Sequence, residues 1–214
     1  MWLLVMAWPL SLRAAEEPWV AALRAMPVPT AVINRSNAVD VLLGAFQSNA
    51  VVKAIVVLPG VSDDFYLIHR DAPPLNLRAT NLLDAIVALT NATPLRMTWR
   101  EPFVLLHARE SDVLQPSIRP EDSASAEKLR LQRLPGSILH LDAHWETVQP
   151  SLERALGKLV RPTGASTEAW HFNRHNLAGA NLTGWELLEA VSLTGGTTLT
   201  VQKTGINFQV RDTP

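Results

Sequence analysis

The chain has 214 residues, of which 18% are charged and 47% hydrophobic, and its 19 Lys and Arg against 20 Asp and Glu give a formal net charge of −1. The absence of cysteine excludes disulfides, thiolate metal sites and cysteine nucleophiles. The near-neutral charge argues against a nucleic-acid-binding protein, and no apolar run reaches the ~20 residues of a membrane-spanning helix.

Residues 1–15 form a mostly apolar stretch that ends in Ala14 and Ala15. An apolar core of about 7–15 residues followed by small residues is typical of a secretory signal peptide. The sequence therefore predicts export, with cleavage after Ala15 and a periplasmic or secreted mature protein. The alternative is a cytoplasmic chain whose first helix packs on the core through Trp2, Leu3, Val5 and Trp8.

Residues 27–107 are predicted to form a first α+β unit. Its elements, in chain order, are a strand at 31–33, a helix over 38–49, a strand at 51–58, a turn at Gly60, a strand ending at Arg70, an extended piece at 75–77, a helix and a hairpin over 95–107. The second helix is indicated by the helical spacing of Leu82, Leu83, Ile86 and Leu89. Thr80 or Asn81 is its candidate N-cap, because a short polar side chain can accept a free backbone N–H there.

Residues 108–136 have the composition of a linker. Pro116, Pro120 and Pro135 interrupt a stretch rich in charged, Ser and Ala residues. We therefore place the domain boundary here, although residues 124–131 could form a short solvated helix.

Residues 137–212 are predicted to form a second α+β unit. Its elements are a strand at 137–139, a helix over 151–159 that starts after Pro150, a short strand at 159–160, a turn at Gly164, a strand ending at Arg174, an extended piece at 177–182, a helix capped by Thr183 and a hairpin over 199–210. The hairpin alternates apolar and polar residues, which is typical of a sheet with one buried face: Leu199, Val201, Ile206, Phe208 and Val210.

The two units align at an offset of 104 residues. Gly60 falls on Gly164 and Arg70 on Arg174, and the match continues through Leu83, Val87 and Leu89, which fall on Leu187, Val191 and Leu193. The sequence therefore predicts an α+β protein of two related halves. Each half is expected to be a small mixed sheet with helices packed on one face.

Four residues at matched positions are candidates for binding a partner or an anion: Arg70 with Arg174, and Tyr66 with Trp170. Their alternative roles are local ion pairing at strand ends and packing against a sheet. Another hypothesis is a small-molecule ligand in a cleft between the halves, lined by Tyr66 and Trp170.

The spacing of the histidines leads to a second functional hypothesis, a metal site. His140 and His144 have the spacing of two metal ligands on one helix face, and Asp142 and His171 could complete such a site between the halves. That site would belong to a hydrolase or another metal-dependent enzyme. The alternative is surface or interface histidines, which we favour because the zinc-protease pattern, the nucleophile elbow and the phosphate-binding loops are absent.

Residues 75–89 leading into 95–99, and residues 182–191 leading into 199–201, combine an extended segment, a helix of leucine, acid, alanine and aliphatic residues, and a hairpin strand. This pattern resembles the short domain at the N-terminus of secretins and TonB-dependent receptors, and related secretin N-domains. The resemblance implies an exported, non-catalytic module for protein–protein contact in the bacterial envelope. The expected partner is another protein or a second copy of the chain, with no cofactor.

Overall fold

The computed structural model describes residues 16–29, 32–59, 74–108, 111, 114–163 and 174–210. These residues form an α+β fold with two mixed sheets. The elements are α1 (Pro18–Arg24), α2 (Ala38–Ala45), β1 (Ala54–Val57), α3 (Leu82–Ala92), β2 (Leu95–Arg100), β3 (Phe103–Ala108), β4 (Ser117–Pro120), α4 (Ser123–Leu131), β5 (Ser137–Ala143), α5 (Trp145–Leu156), β6 (Leu159–Pro162), β7 (His175–Ala180), α6 (Gly184–Thr194), β8 (Thr197–Val201) and β9 (Gly205–Val210).

The first sheet, which we call sheet 1, draws strands from both halves of the chain. Its order is β2-β3-β1-β7-β5, and the order of sheet 2 is β4-β8-β9-β6. The four residues of β1 are all buried, so this strand is covered on both faces and flanked on both sides. The α+β class is as predicted, but β5 and β7 join the sheet of the first half instead of building one with β6.

The two sheets share a three-strand pattern. In sheet 1, β1 lies parallel to the second strand of the β2–β3 hairpin, and in sheet 2, β6 lies parallel to the second strand of the β8–β9 hairpin. Corresponding elements begin 102 residues apart, at Leu82 and Gly184, at Leu95 and Thr197, and at Phe103 and Gly205. The sequence alignment at an offset of 104 therefore differs by two residues from the offset of these element starts.

Two apolar cores lie on opposite faces of sheet 1. Ile55 and Val57 of β1 pack in the core formed with α1, α2 and α3. Ala54 and Val56 point the other way, into the core shared with α6 and sheet 2. Helix α6 contacts strands of both sheets, and eight of its eleven residues are buried. The order of layers is therefore helices, sheet 1, α6 with α5, and sheet 2.

The predicted helix caps and hairpins are present. The side chain of Asn81 accepts a hydrogen bond from the N–H of Asp84 at 2.9 Å. Thr183 accepts one from the N–H of Glu186 at 3.1 Å and caps α6. The hairpin residues Leu199, Val201, Ile206 and Phe208 are fully buried, as their alternation predicts.

Four predicted elements have different bounds. Helix α2 ends at Ala45, and α5 begins at Trp145, six residues before its predicted start. Pro150 lies inside α5, where the buried stripe outweighs the lost hydrogen bond: Trp145, Val148, Leu152 and Leu156. The segment 51–58 forms a shorter strand, β1, and the extended piece 177–182 lies largely in β7.

Residues 108–136, predicted to be a linker, contain β4 and α4. Strand β4 pairs in parallel with β8 and forms one edge of sheet 2. Helix α4 packs on α6 through the buried residues Ala126 and Leu129. The short helix that the sequence predicted as an alternative over residues 124–131 is therefore present as α4, with one buried face.

Candidate functional site

The N-terminal end of α6 is joined to sheet 1 through one carboxylate. Glu186 accepts a hydrogen bond from the N–H of Thr183 at 2.7 Å, which completes a capping box. Its other oxygen lies 2.6 Å from the Nζ of Lys53, the residue before β1. Both side chains are largely buried, so this pair fixes the position of α6 against β1.

A second charged pair lies one turn further along α6. Glu189 accepts a hydrogen bond from the indole N–H of Trp185 at 3.2 Å and lies 3.9 Å from Arg100 at the end of β2. Burial raises the pKa of Glu189, and the nearby Arg100 opposes that shift. The guanidinium of Arg130 lies 4.4 Å from the centre of the Trp185 ring. The exposed side of α6 is thus lined by cations.

A polar depression of about 450 Å³ lies beside this end of α6. It is lined by Asn49, Ala50, Lys53, Arg133, Asn181 and Thr183, and no carboxylate belongs to this lining. Asn181 has a φ of 58°, a left-handed conformation that Asn tolerates better than most residues. We call this feature the basic depression.

Arg133 is held opposite the α6 cap by its backbone neighbours. The N–H of Gly184 donates to the carbonyl of Gln132 at 2.8 Å, and the N–H of Leu134 donates to the carbonyl of Leu182 at 2.9 Å. The Arg133 side chain is exposed, and among the described residues its guanidinium takes part in no ion pair. The basic depression therefore offers an uncompensated positive charge to an anionic group.

Three of the four sheet edges carry a feature that hinders strand pairing. At β6, the N–H of Val160 donates to Glu153 and its carbonyl accepts from Gln149, both on α5. These two side chains take the place of a neighbouring strand. At β4, Pro120 lacks an N–H and the N–H of Ser117 donates to Ser192.

The edges of sheet 1 differ from each other. On β2, the guanidinium of Arg96 donates to the carbonyl of Leu95, and Trp99 is stacked on Trp19 of α1. On β5, Leu139 is 52% exposed, and no described side chain caps the backbone of residues 137–139. The regular register of β5 runs from Ser137 to His140, and a bulge then separates it from Ala143.

Two histidines that are buried in the described part of the chain have structural positions in strands. The Nδ1 of His107 donates to the carbonyl of Ala108 at 2.7 Å, which leaves its Nε2 to accept from the hydroxyl of Thr98 at 2.8 Å. The ring of His175 lies 5.9 Å from that of Trp145. Gly195 packs so closely on His175 that a Cβ there would lie 2.6 Å from the ring.

Most predicted site residues are not brought together in the described residues. Arg174 is half-buried and directly precedes β7. His144 is the exposed N-cap residue of α5, and His140 and Asp142 lie in β5, where only their backbone is described. Arg70, Tyr66, Trp170 and His171 lie outside the described residues.

The described part of the chain contains no group of three His, Asp or Glu side chains that could hold a metal ion. The predicted four-residue metal set cannot be assembled from it, since His171 lies outside. The metal-dependent enzyme thus stays a hypothesis of the sequence alone.

The residues around the basic depression were missed by sequence reasoning. Glu186 follows Thr183 by three positions, which is the spacing of a capping box and a usable local signal. Lys53 and Arg133 have no such signal, because only the folding of distant segments brings them to α6.

Comparison with known proteins gave no match, whether with protein-family models, curated proteins or solved structures. Among the described residues, no helix combines the length and the apolar character needed to cross a membrane. The sheet edges and the basic depression are therefore the features of the molecule from which a function can be inferred.

Proposed function

We propose that this chain is a non-catalytic protein–protein interaction module that binds its partner by strand addition at β5. The observation that carries the proposal is the exposed Leu139 in the middle of an edge strand whose backbone is not capped by any described side chain. In strand addition, every second residue of the edge directs its N–H and C=O toward the incoming chain. Ser137 to His140 supply that edge.

The contrast between the edges supports this choice. Edge strands tend to pair with other chains, so proteins usually protect those that are not used. Glu153 and Gln149 protect β6, Pro120 limits β4, and Arg96 with Trp19 flanks β2. Among the described residues, no side chain protects β5 before the bulge that follows His140. Four residues of edge backbone without a described cap are suited to a short, specific contact.

We further propose that the module acts in the bacterial envelope. The apolar segment at residues 1–15 supports export, and the resemblance of the extended–helix–hairpin units to secretin N-domains supports a place in an outer-membrane or secretin-like assembly. The shared three-strand pattern of the two sheets supports an origin by internal duplication. In those domains, as here, the contact surface would consist of helices and sheet edges rather than a catalytic cleft.

Site-specific photocrosslinking tests the proposal. A photoreactive benzophenone amino acid is placed at position 139 or at position 87 of the full chain, in cells that carry the chain naturally. Val87 is the matched control, because it is 41% exposed but lies on α3, which packs on β2 at the opposite edge of sheet 1. We expect a discrete crosslinked protein or dimer from position 139 only. Equal crosslinking from position 87, or none from position 139, would refute strand addition at β5.

A further inference from the structure

The basic depression and the open edge of β5 lie at the same end of sheet 1. Strands β1 and β5 are both antiparallel to β7, so both begin where β7 ends. Lys53 directly precedes β1, Asn181 directly follows β7, and Ser137 is the register partner of Ala180 at the start of β5. The basic depression is therefore next to the N-terminal end of the β5 edge.

This end of sheet 1 is held in place by the chain itself. The hydroxyl of Ser48 donates to the carbonyl of Ala180 at 2.9 Å, and the N–H of Ala180 donates to the carbonyl of Lys53 at 3.0 Å. Asn49 is occupied locally, because its side-chain oxygen accepts from the N–H groups of Val51 and Val52. The shape of the basic depression is thus set before any partner binds.

The charge of the basic depression selects an anion. The Glu186 carboxylate already serves the capping box and the pair with Lys53, and within the described part of the chain no other carboxylate pairs with Arg133. A guanidinium presents five N–H donors in a planar fork that matches a carboxylate. A volume of about 450 Å³ is large enough for a terminal residue with its side chain.

Building on the strand addition proposed above, we propose that the added strand runs antiparallel to β5 and places a carboxylate in the basic depression, next to Arg133. Neighbouring strands lie about 4.8 Å apart, so the added strand passes about 10 Å from the end of β7, within reach of long side chains from both partners. An antiparallel strand ends where β5 begins. The carboxylate then belongs to the last residue of the partner's strand, either to an acidic side chain or to a free C-terminus.

Four synthetic hexapeptides distinguish these sources of the carboxylate. The sequence Thr-Val-Thr-Val-Thr-Glu and its counterpart ending in Gln are each prepared with an amidated and with a free C-terminus. Binding to the full chain is measured by NMR titration and calorimetry. We expect each carboxylate-bearing peptide that reaches Arg133 to bind about three- to tenfold more tightly than the neutral amidated Gln peptide. The peptide with the larger gain identifies the side chain or the C-terminus as the source.

Arg133→Gln is the test variant, and Arg154→Gln is the matched control on the exposed face of α5. We expect Arg133→Gln to abolish the preference for a carboxylate and Arg154→Gln to retain it.

Equal binding of all four peptides, or a preference that survives Arg133→Gln, would overturn the inference while leaving strand addition intact. Binding of none of the four would instead count against strand addition, because backbone pairing at an edge is largely independent of sequence. In cells, undiminished crosslinking from position 139 in Arg133→Gln would support strand addition at β5 and count against a carboxylate contact with Arg133.

Discussion

The hydroxyl of Thr194, the last residue of α6, donates a hydrogen bond of 2.9 Å to the carbonyl of Val57, the last residue of β1. The same hydroxyl accepts from the N–H of Asn176 at 3.0 Å, and Asn176 is the register partner of Val57 across the β1–β7 pair. One side chain of the central helix therefore closes the end of the ladder that joins the two halves.

Replacing Thr194 by Val keeps the shape of the side chain and removes both hydrogen bonds. We expect Thr194→Val to lower the free energy of unfolding by about 1–3 kcal/mol, because it removes the hydroxyl that pairs with a buried carbonyl and a buried N–H. Thr194→Ser should recover most of that loss. Thr90→Val is the control, since the hydroxyl of Thr90 donates its hydrogen bond to the carbonyl of Val87 at an exposed site. Urea unfolding measures all three, and an equal loss in both Val variants would contradict the assigned role.

A close approach between β1 and β7 gives a prediction about glycine. A Cβ at Gly179 would lie 2.9 Å from the Cβ of Ala54, its register partner. We expect Gly179→Ala to destabilise the chain by about 1–3 kcal/mol through overpacking. A Cβ at Gly44 in α2 would meet no atom within 4 Å, so Gly44→Ala should stabilise the chain by about 0.5–1 kcal/mol. Thermal unfolding of both variants should shift in opposite directions.

From the protected β6 edge of sheet 2 we predict that one substitution changes both the stability of the chain and its self-association. Glu153→Ala removes the acceptor of the Val160 N–H, and we expect a loss of about 1–3 kcal/mol together with self-association through the opened β6 edge. Glu153→Gln retains an acceptor and should stay close to the parent in both respects. Urea unfolding and light scattering at increasing concentration measure the two effects. A Glu153→Ala variant that stays as stable and as monodisperse as the parent would show that α5 does not protect this edge.

The buried carboxylate of Glu189 predicts a pH dependence. Because burial raises its pKa in the folded chain above the unfolded value, the folded state takes up the proton first as the pH falls. The contribution of Glu189 to stability therefore grows as the pH falls through the folded pKa, and it is lost as the pH rises. We expect the parent to gain stability relative to Glu189→Gln as the pH falls from neutrality toward the ordinary pKa of a glutamate.

Urea unfolding at several pH values measures this gain. Glu127→Gln changes the same charge at an exposed position of α4 and controls for net charge. A constant difference between the parent and Glu189→Gln over this range, or one of opposite sign, would contradict the prediction.

Local patterns were sufficient for the helices with caps and for both hairpins. Thr183 and Asn81 mark helix starts by a short-range rule, and Leu199 and Phe208 mark a one-sided sheet by alternation. Helix α5 was missed in part because Pro150 is a strong local signal against a helix interior, whereas Trp145 and its stripe are stabilised by tertiary burial. A helical stripe of apolar residues that continues across a proline is easily read as two separate segments.

The candidate site could not be predicted in the same way. Lys53, Arg133 and Glu186 come from three distant segments, and their proximity depends on β7 pairing with β1. No periodicity encodes which strands of two similar units share a sheet. The sequence singled out two other groups of residues. Of the matched residues Arg70, Arg174, Tyr66 and Trp170, only Arg174 lies in the described part of the chain, and of the proposed metal ligands, His171 lies outside it.

The pairing of Ala54 with Gly179 also sets the order in which a nascent chain can fold. While only the first half has emerged, from the ribosome or on the far side of a membrane, β1 can pair with β3 but its other edge has no neighbour, and the face formed by Ala54 and Val56 is not covered by α6. A chain at that stage would expose both a sheet edge and an apolar surface, the features that chaperones recognise. Native pairing becomes available only when β7 has also emerged, so the second half of the chain completes the sheet of the first.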